Sequence, residues 1–307
     1  MDLRHIISTQ QFLDLALLEE LFASAKLLEQ QDKEKTIPKV LSDKILATVF
    51  YEPSTRTRFS FEAAMLKLGG GVITTESASH FSSATKGESL SDSIKILGGY
   101  ADAIVLRHPE KGSAQVAAEV SSVPVINAGD GAGEHPTQAL LDIYTIQKER
   151  GSIAGLKVVL LGDLLYGRTI HSLLPLLAVY QNVHICLISP PELRLPDQYK
   201  SYLSERGVTV EESETLDGII ETADVLYVTR VQKERFPSVE AYEKVKNAFV
   251  IDRAMIDRMK KEAIIMHPLP RVTEINPEID NDPRAAYFRQ AKNGMYMRMA
   301  LLSKILS

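Results

Sequence analysis

Segment 54–58 reads Ser-Thr-Arg-Thr-Arg, which places three hydroxyl groups and two guanidinium groups side by side. It follows an apolar run at 45–50 that predicts a buried strand. Apolar residues with the spacing of a helix follow from this segment onward, and the predicted helix ends at the glycines 69–71. Backbone N–H groups and the helix dipole favour an anion at such a junction, and Arg56 and Arg58 suit bidentate binding of phosphate. The segment therefore predicts a phosphate site; the alternative is a Ser/Thr helix cap beside two solvated arginines.

Other polar segments also follow predicted strands, where ligands bind in doubly wound sheets. Arginine recurs among these segments, and its recurrence in a chain with a net charge of -5 favours a pair of polyanionic ligands. The residues that stand out in these segments are Arg107, His135, Gln138, Arg168, Arg230, His267 and Arg271.

His135 and Gln138 lie at positions i and i+3 of a predicted helix start, so their side chains share a face. Together they offer a neutral donor and an amide, which suit a carbonyl oxygen and an NH2 group. The alternative is a histidine that only caps the helix. Near His267, the prolines on either side of Leu269 predict a fixed turn that presents backbone carbonyls.

The sequence lacks the motifs of several other site classes. It has no Gly-x-Ser-x-Gly elbow and no P-loop, and segment 162–167 does not match the Gly-x-Gly-x-x-Gly fingerprint of dinucleotide sites. Cys186 is the only cysteine and the histidines are scattered. We therefore expect no disulfide and no metal site.

The composition limits the classes to which the protein can belong. The chain has 307 residues, of which 45% are hydrophobic, enough for two ordinary domains with their own cores. The net negative charge argues against a nucleic acid or an anionic membrane as the main partner. No apolar run approaches the ~20 residues of a membrane span, and no signal peptide begins the sequence, so we expect a soluble cytoplasmic protein.

Strand-like and helix-like patterns alternate along the chain, which predicts an α/β protein with two doubly wound parallel-sheet domains. The pattern restarts near residue 157. The loop at 76–88 lacks periodicity, which indicates a mobile functional loop. The predicted strands are 45–50, 71–75, 103–107, 123–127, 157–161, 183–188, 208–210, 224–228, 248–251 and 264–267. The predicted helices are 11–30, 54–68, 89–98, 113–121, 135–149, 168–180, 197–206, 215–222 and 285–306.

Taken together, the motifs resemble the aspartate carbamoyltransferase catalytic chain from about Leu46 to the C-terminus. The first two motifs are shared with ornithine carbamoyltransferases. The last two separate the families, because the ornithine enzymes typically have His-Cys-Leu-Pro in place of the His-Pro-Leu-Pro of this chain. The motifs that carry the resemblance are 54–58, 135–138, 162–169, 229–235 and 267–271.

The resemblance implies two α/β domains with the active site in the cleft between them. Residues 1–134 would bind carbamoyl phosphate, completed by a C-terminal helix at 285–307. Residues 135–284 would bind aspartate, with 135–150 as an interdomain helix. It also implies a homotrimer with shared active sites and leaves open a separate regulatory chain.

By the same resemblance, Arg56, Thr57, Arg107 and His135 are the catalytic residues. The implied carbamoyl phosphate site comprises Ser54, Thr55, Arg56, Thr57, Arg107, His135, Gln138, Leu269 and Pro270, with Ser82 and Lys86 from an adjacent subunit. The implied aspartate site comprises Lys86, Arg168, Arg230 and Gln232.

The implied reaction is transfer of a carbamoyl group from carbamoyl phosphate to aspartate in pyrimidine synthesis, with no cofactor and no metal. Two alternatives stay open: transfer to another amino acid such as ornithine, and a catalytically silent scaffold of the same fold. Leu165 departs from the resemblance, because many members have a lysine there that pairs with an acid during domain closure.

Overall fold

The computed structural model describes residues 3–81, 83–231, 238–245 and 248–307. The chain forms two compact units. Unit 1 comprises Met1–Leu141 with Lys292–Ser307, and unit 2 comprises Asp142–Ala291. The chain leaves unit 1 within helix α6 (Pro136–Arg150) and returns to it within helix α11 (Tyr287–Leu306). Each unit is built on a parallel sheet with helices, so the predicted α/β class is confirmed.

Unit 1 contains a four-stranded parallel sheet in the order β2-β1-β3-β4. Strand β1 is buried from Leu46 onward, as expected for a short apolar strand with neighbours on both sides. Ala47 and Val49 pack in one core cluster with Ile104 and Leu106 of the neighbouring strand. The strands are β1 (Ile45–Phe50), β2 (Gly71–Glu76), β3 (Ala103–His108) and β4 (Val125–Asp130).

Two helix boundaries in unit 1 have the expected capping chemistry. Asp14 caps the first helix by accepting from the backbone N–H of Ala16 (2.9 Å), so this helix begins later than the sequence predicted. The second helix ends just before Gly69, whose φ of 94° only glycine adopts easily. The helices are α1 (Leu15–Glu34), α2 (Thr55–Lys67), α3 (Ala78–Phe81), α4 (Leu90–Leu97) and α5 (Ser113–Val120).

Unit 2 contains a five-stranded parallel sheet in the order β7-β6-β5-β8-β9. Its core joins Val159 and Leu161 to Leu226 and Val228, which lie on the neighbouring central strand. The strands are β5 (Lys157–Leu161), β6 (His184–Ile188), β7 (Thr209–Ser213), β8 (Val225–Val228) and β9 (Ile264–Met266). The helices are α7 (Arg168–Leu177), α8 (Asp197–Ser204), α9 (Val239–Val245) and α10 (Arg253–Ile256).

Three predicted elements were wrong. The helix expected at 215–222 is reduced to a 3-10 turn at Ile220–Thr222, because Gly218 has a φ of 75° and interrupts any helix there. The strand expected at 248–251 is a single bridge between Ile251 and Ile275. The loop at 76–88 contains α3 and a 3-10 turn at Ser83–Lys86, elements too short to leave a periodic pattern.

In the described part of the chain, no helix combines the length and the apolar character needed to cross a membrane.

Candidate functional site

In unit 1 the chain runs from β1 to β2 in one direction along the sheet and from β3 to β4 in the other, and doubly wound sheets bind ligands at the carboxyl ends of strands where the order reverses in this way. The strand register brings Phe50 beside Arg107, and the N–H of Tyr51 donates to the carbonyl oxygen of Arg107 at 2.9 Å. Arg107, near the end of β3, and segment 54–57, which follows β1, therefore lie at the same edge of the sheet.

Segment 54–57 forms the first turn of α2. Ser54 stands at the N-cap position, yet its side chain makes no capping hydrogen bond, which disfavours the simple cap interpretation. The first N–H groups of a helix have no acceptor within it, so this turn offers donors to an anion. Thr55 and Arg56 are exposed, whereas Thr57 is buried. The turn thus presents hydroxyl, guanidinium and backbone donors together.

Arg58 does not share this role. Its Nη2 lies 3.1 Å from Oε2 of Glu76, and its Nη1 donates to Oγ1 of Thr74 at 3.2 Å. Glu62, one turn later on α2, lies 3.8 Å from Nη1. These acids neutralise the guanidinium of Arg58, so Arg58 is committed within unit 1.

Arg107 is held by groups from both of its neighbours in the sheet. Nη1 donates to the carbonyl oxygen of Ala128 at 3.2 Å, and Nη2 lies 3.5 Å from Oε2 of Glu52. The side chain is only 13% exposed, so its charge is weakly screened by solvent, and an incoming anion would compete with Glu52 for it. Nothing in the sequence singled out Glu52, because an acid just before the motif has no recognisable pattern.

His135 and Gln138 are both buried at the start of α6. The carbonyl oxygen of His135 accepts from the N–H groups of Gln138 (3.0 Å) and Ala139 (3.2 Å), which begins the helix. The spacing of three positions still predicts that the imidazole and the amide lie on one face.

Two acids fix the loop that leads to His135. Oδ1 of Asp130 accepts from the N–H of Glu134 (2.7 Å), and Oδ2 accepts from the N–H of Gly112 (2.8 Å). The carboxylate of Glu134 accepts from the hydroxyl of Ser8 and the N–H of Thr9, each at 2.7 Å. Because all these partners belong to unit 1, the backbone before His135 is held rigidly.

Lys86 ends the 3-10 turn Ser83–Lys86 and is exposed. Ser82 lies outside the described residues, and so does Gln232.

In unit 2 the corresponding reversal of strand order lies between the central strands β5 and β8. The N–H of Asp163 donates to Oγ1 of Thr229 at 3.1 Å, and the hydroxyl of Thr229 donates to the carbonyl oxygen of Leu161 at 3.1 Å. These bonds join the two connections. Arg168 is the first residue of α7 and Arg230 follows Thr229 directly, and both are half-buried. Two cationic side chains therefore follow the ends of neighbouring strands.

The turn after β9 is organised by His267, which is buried. Its Nδ1 accepts from the N–H of Leu269 (2.7 Å), so Nε2 carries the proton and donates to Oε1 of Glu274 (2.8 Å). Burial pushes the pKa of Glu274 upward, but the bonds from His267 and nearby backbone N–H groups outweigh burial and leave the pKa below its ordinary value. Leu269 has a φ of 56°, and the peptide bond to Pro270 is cis. His267 is therefore a support for this turn.

Arg271, which the sequence grouped with the ligand-binding arginines, is committed within unit 2. Its Nη2 donates to Oδ2 of Asp280 at 2.6 Å, and its Nη1 donates to Asp280 and to the hydroxyl of Tyr287 (3.1 Å). The guanidinium also lies over the ring of Tyr287. Arg271 fastens the segment after β9 to the start of α11.

Two family models match successive parts of the chain. Residues 4–148 match the aspartate/ornithine carbamoyltransferase carbamoyl-P binding domain, and residues 154–305 match the Asp/Orn binding domain of the same family. Among curated relatives, the aspartate carbamoyltransferase catalytic subunit of Methanocaldococcus jannaschii is 50% identical, over 99% of this chain and 98% of its own length. The chloroplastic aspartate carbamoyltransferase of rice is 51% identical, over 98% of this chain and 84% of its own length.

Solved structures give the same result. The catalytic subunit of M. jannaschii aspartate transcarbamoylase in an orthorhombic crystal form superposes with a TM-score of 0.92 at 50% identity, covering 99% of this chain and 98% of that chain. The Trypanosoma cruzi aspartate transcarbamoylase in complex with carbamoyl phosphate and aspartate superposes with a TM-score of 0.94 at 41% identity, covering 99% and 97%.

Proposed function

The chain belongs to the aspartate/ornithine carbamoyltransferase family, and we infer that it is an enzyme that transfers the carbamoyl group from carbamoyl phosphate to the amino group of L-aspartate. The products are N-carbamoyl-L-aspartate and phosphate, in an early step of pyrimidine synthesis. The observation that carries this function is the continuous likeness to aspartate carbamoyltransferase catalytic subunits over 99% of the chain.

We propose that unit 1 binds carbamoyl phosphate. The first turn of α2 would hold the phosphate through backbone N–H groups, hydroxyls and Arg56. Arg107 would contact both the phosphate and the carbonyl oxygen, since it lies at the end of the neighbouring strand and is anchored on two sides. Thr57 and His135 would also donate to the carbonyl oxygen, and Gln138 would hold the carbamoyl NH2 group.

We propose that unit 2 binds aspartate through Arg168 and Arg230, with Gln232 as a further ligand and Lys86 from another subunit. Two guanidinium groups at neighbouring strand ends suit the two carboxylates of aspartate. Ornithine would need an acidic pocket for its cationic side chain, which these arginines disfavour.

The chemistry requires positioning and fixed positive charge more than a protein base. The amine of aspartate attacks the carbonyl carbon, a tetrahedral oxyanion forms, and the C–O bond to phosphate breaks. Donors that are already in place stabilise the oxyanion without reorganising. The departing phosphate dianion is itself a base, so it can accept the proton that the amine loses.

A homotrimer with shared active sites is a further proposal. Phe59 and Leu66 on α2 are each more than half exposed, and β2 is an edge strand that exposes Ile73. Apolar side chains beside a free strand edge suit burial against a second copy of the chain. A separate regulatory chain and a cytoplasmic location stay predictions, and several of the plant relatives are chloroplastic.

One assay tests the proposed reaction. The purified chain is mixed with carbamoyl phosphate and either aspartate or ornithine, and the carbamoylated amino acid and phosphate are measured together. We expect equal amounts of carbamoyl aspartate and phosphate, and no carbamoyl ornithine. An Arg230→Ala chain purified in the same way controls for contaminating host enzyme. Product from ornithine alone, or no product from either acceptor, would contradict the proposal.

A further inference from the structure

A second cluster of reactive side chains lies away from the strand ends described above. His184 and Cys186 stand on one face of β6, two positions apart, and the register places Glu211 of β7 directly beside Cys186. Nε2 of His184 lies 3.6 Å from Oε2 of Glu211, and Sγ of Cys186 lies 3.4 Å from the same oxygen. One ligand atom from each residue lies within 4.8 Å of the other two.

Two of the three separations match a tetrahedral metal site. With bonds of about 2.0 Å to nitrogen and oxygen and about 2.3 Å to sulfur, tetrahedral angles require about 3.3 Å between nitrogen and oxygen and about 3.5 Å between sulfur and oxygen. The observed 3.6 Å and 3.4 Å differ from these values by a few tenths of an ångström. The oxygen of Glu211 is therefore already spaced from the nitrogen and from the sulfur for a common ion, and the nitrogen and the sulfur lie within 4.8 Å of each other.

His184 adds a second indication. Its Nε2 atom is shielded from solvent and has no hydrogen-bond partner among the residues that the structure describes. A shielded nitrogen without a partner is costly, and metal coordination would satisfy it. The side chains of His184 and Glu211 are themselves partly exposed, which gives an ion a route to the buried sulfur.

We propose that His184, Cys186 and Glu211 form a binding site for one divalent cation of the zinc class, with water as the fourth ligand. A thiolate, an imidazole and a carboxylate are the three ligand types that Zn²⁺ takes in proteins. His184 begins β6, so the site lies toward the amino ends of the strands. Arg168 and Arg230 follow the carboxyl ends of β5 and β8, so this site is separate from the catalytic machinery.

The ion would join β7, at the edge of the described sheet, to its neighbour β6. It would thereby stabilise unit 2 by mass action, because it binds the folded chain. Lys157 opposes the ion, since its Nζ lies 3.7 Å from Oε2 of Glu211 and carries a like charge. Lys157 therefore lowers the affinity of the site for the cation.

Cobalt titration of the full-length chain tests the site. Co²⁺ bound to a thiolate gives a charge-transfer band in the near ultraviolet, and Cys186 is the only cysteine, so a band assigns the ligand. We expect one Co²⁺ per chain, displacement by Zn²⁺ and loss of the band in Cys186→Ala. Absence of the band in the unmodified chain would overturn the proposal, even if Zn²⁺ binds elsewhere.

Variants with intact sulfur complete the test. His184→Ala and Glu211→Gln should each weaken Zn²⁺ binding by at least roughly 10–100-fold, since loss of mere outer-shell partners costs that much. Glu212→Gln is the matched control, because Glu212 lies on the opposite face of β7 and binds Lys200. Lys157→Met should tighten binding several-fold. Unchanged Zn²⁺ affinity in both His184→Ala and Glu211→Gln would overturn the proposal.

A melting experiment guards against variants that fold poorly. Zn²⁺ should raise the unfolding temperature of the unmodified chain and of Glu212→Gln, but not that of Glu211→Gln. Equal upward shifts in all three proteins would place the ion elsewhere and contradict the assignment.

Discussion

Gly162 lies so close to the carbonyl oxygen of Thr229 that a Cβ added to the glycine would stand 2.2 Å from it. The same glycine has a φ of 113°. Conformation and close approach therefore both require glycine here, where the connection after β5 passes the connection after β8. Arg168 and Arg230 depend on this contact, because they follow these two connections.

Gly162→Ala should raise the KM for aspartate and destabilise the chain. The matched control is Gly207→Ala, because Gly207 has a φ of 70° but no atom within 4 Å of an added Cβ. We expect the control to lose about 1–2 kcal/mol from conformation alone and Gly162→Ala to lose a further ~1–3 kcal/mol from the clash. Denaturant unfolding and steady-state kinetics measure both effects. Equal losses of unfolding free energy in the two variants would mean that the backbone around Thr229 shifts to accommodate the added methyl group without a further cost.

Arg230→Ala should weaken transition-state binding by ~2–5 kcal/mol, because a substrate carboxylate is left buried without its cation. Carbamoyl phosphate binding should be nearly unchanged, since its proposed ligands lie mainly in unit 1. The control is Arg194→Ala, an exposed arginine that pairs with Glu214 on the surface. Normal turnover of Arg230→Ala at low aspartate would remove Arg230 from the aspartate site.

His135→Ala should lower kcat by roughly 10²–10³, the loss typical of a single oxyanion donor. This expectation combines a buried imidazole at the start of α6, after a loop that Asp130 holds, with the proposed role of His135 as a neutral hydrogen-bond donor. The pH–rate profile is the deciding measurement. A far larger loss of kcat, with a residual pH–rate profile that lacks the limb of an essential base, would show that His135 is a base instead.

Co-refolding of Arg56→Ala with Lys86→Ala should restore part of the activity. If Lys86 serves a neighbouring subunit, a mixed trimer joins one intact Arg56 to one intact Lys86, and roughly one site in three is whole. Arg56→Ala with His135→Ala is the control, because both residues serve the same chain and no hybrid site is complete. Hybrid trimers of the first pair that stay as inactive as their parents would show that Lys86 serves its own chain.

Asp282→Asn should destabilise the chain at neutral pH but much less in acid. The hydrogen bonds from Arg284 lower the pKa of Asp282 from 3.8 to about 2 against the opposing effect of burial. A depressed pKa in the folded state contributes stability above the ordinary value of 3.8 and loses it as pH falls toward about 2. The expected loss at pH 7 is roughly 2 kcal/mol.

Urea unfolding of Asp282→Asn at neutral and acid pH measures this dependence. Asp197→Asn is the control, because Asp197 also has a lowered pKa through its bond to Lys200 but is fully exposed and screened. A difference between Asp282→Asn and the unmodified chain that stays constant down to acid pH would contradict the assignment to ionisation.

The sequence by itself determined the alternation of strands and helices, the restart near residue 157 and the family. Local information suffices for these features. Apolar runs specify short buried strands, and the motif at 54–58 marks a helix start because its residues are consecutive. Where a local signal was overlooked, as at Gly218, the predicted helix at 215–222 was wrong.

Only the tertiary structure decided the partners of Arg58. Its motif suits a phosphate, but the folded chain brings Arg58 to Glu76 at the end of β2. The cluster of Cys186 and Glu211 has the same origin, since the register of β6 against β7 brings the two residues together. Such partners are distant in the chain, and the pairing that joins them depends on strand order and register, which no local pattern encodes.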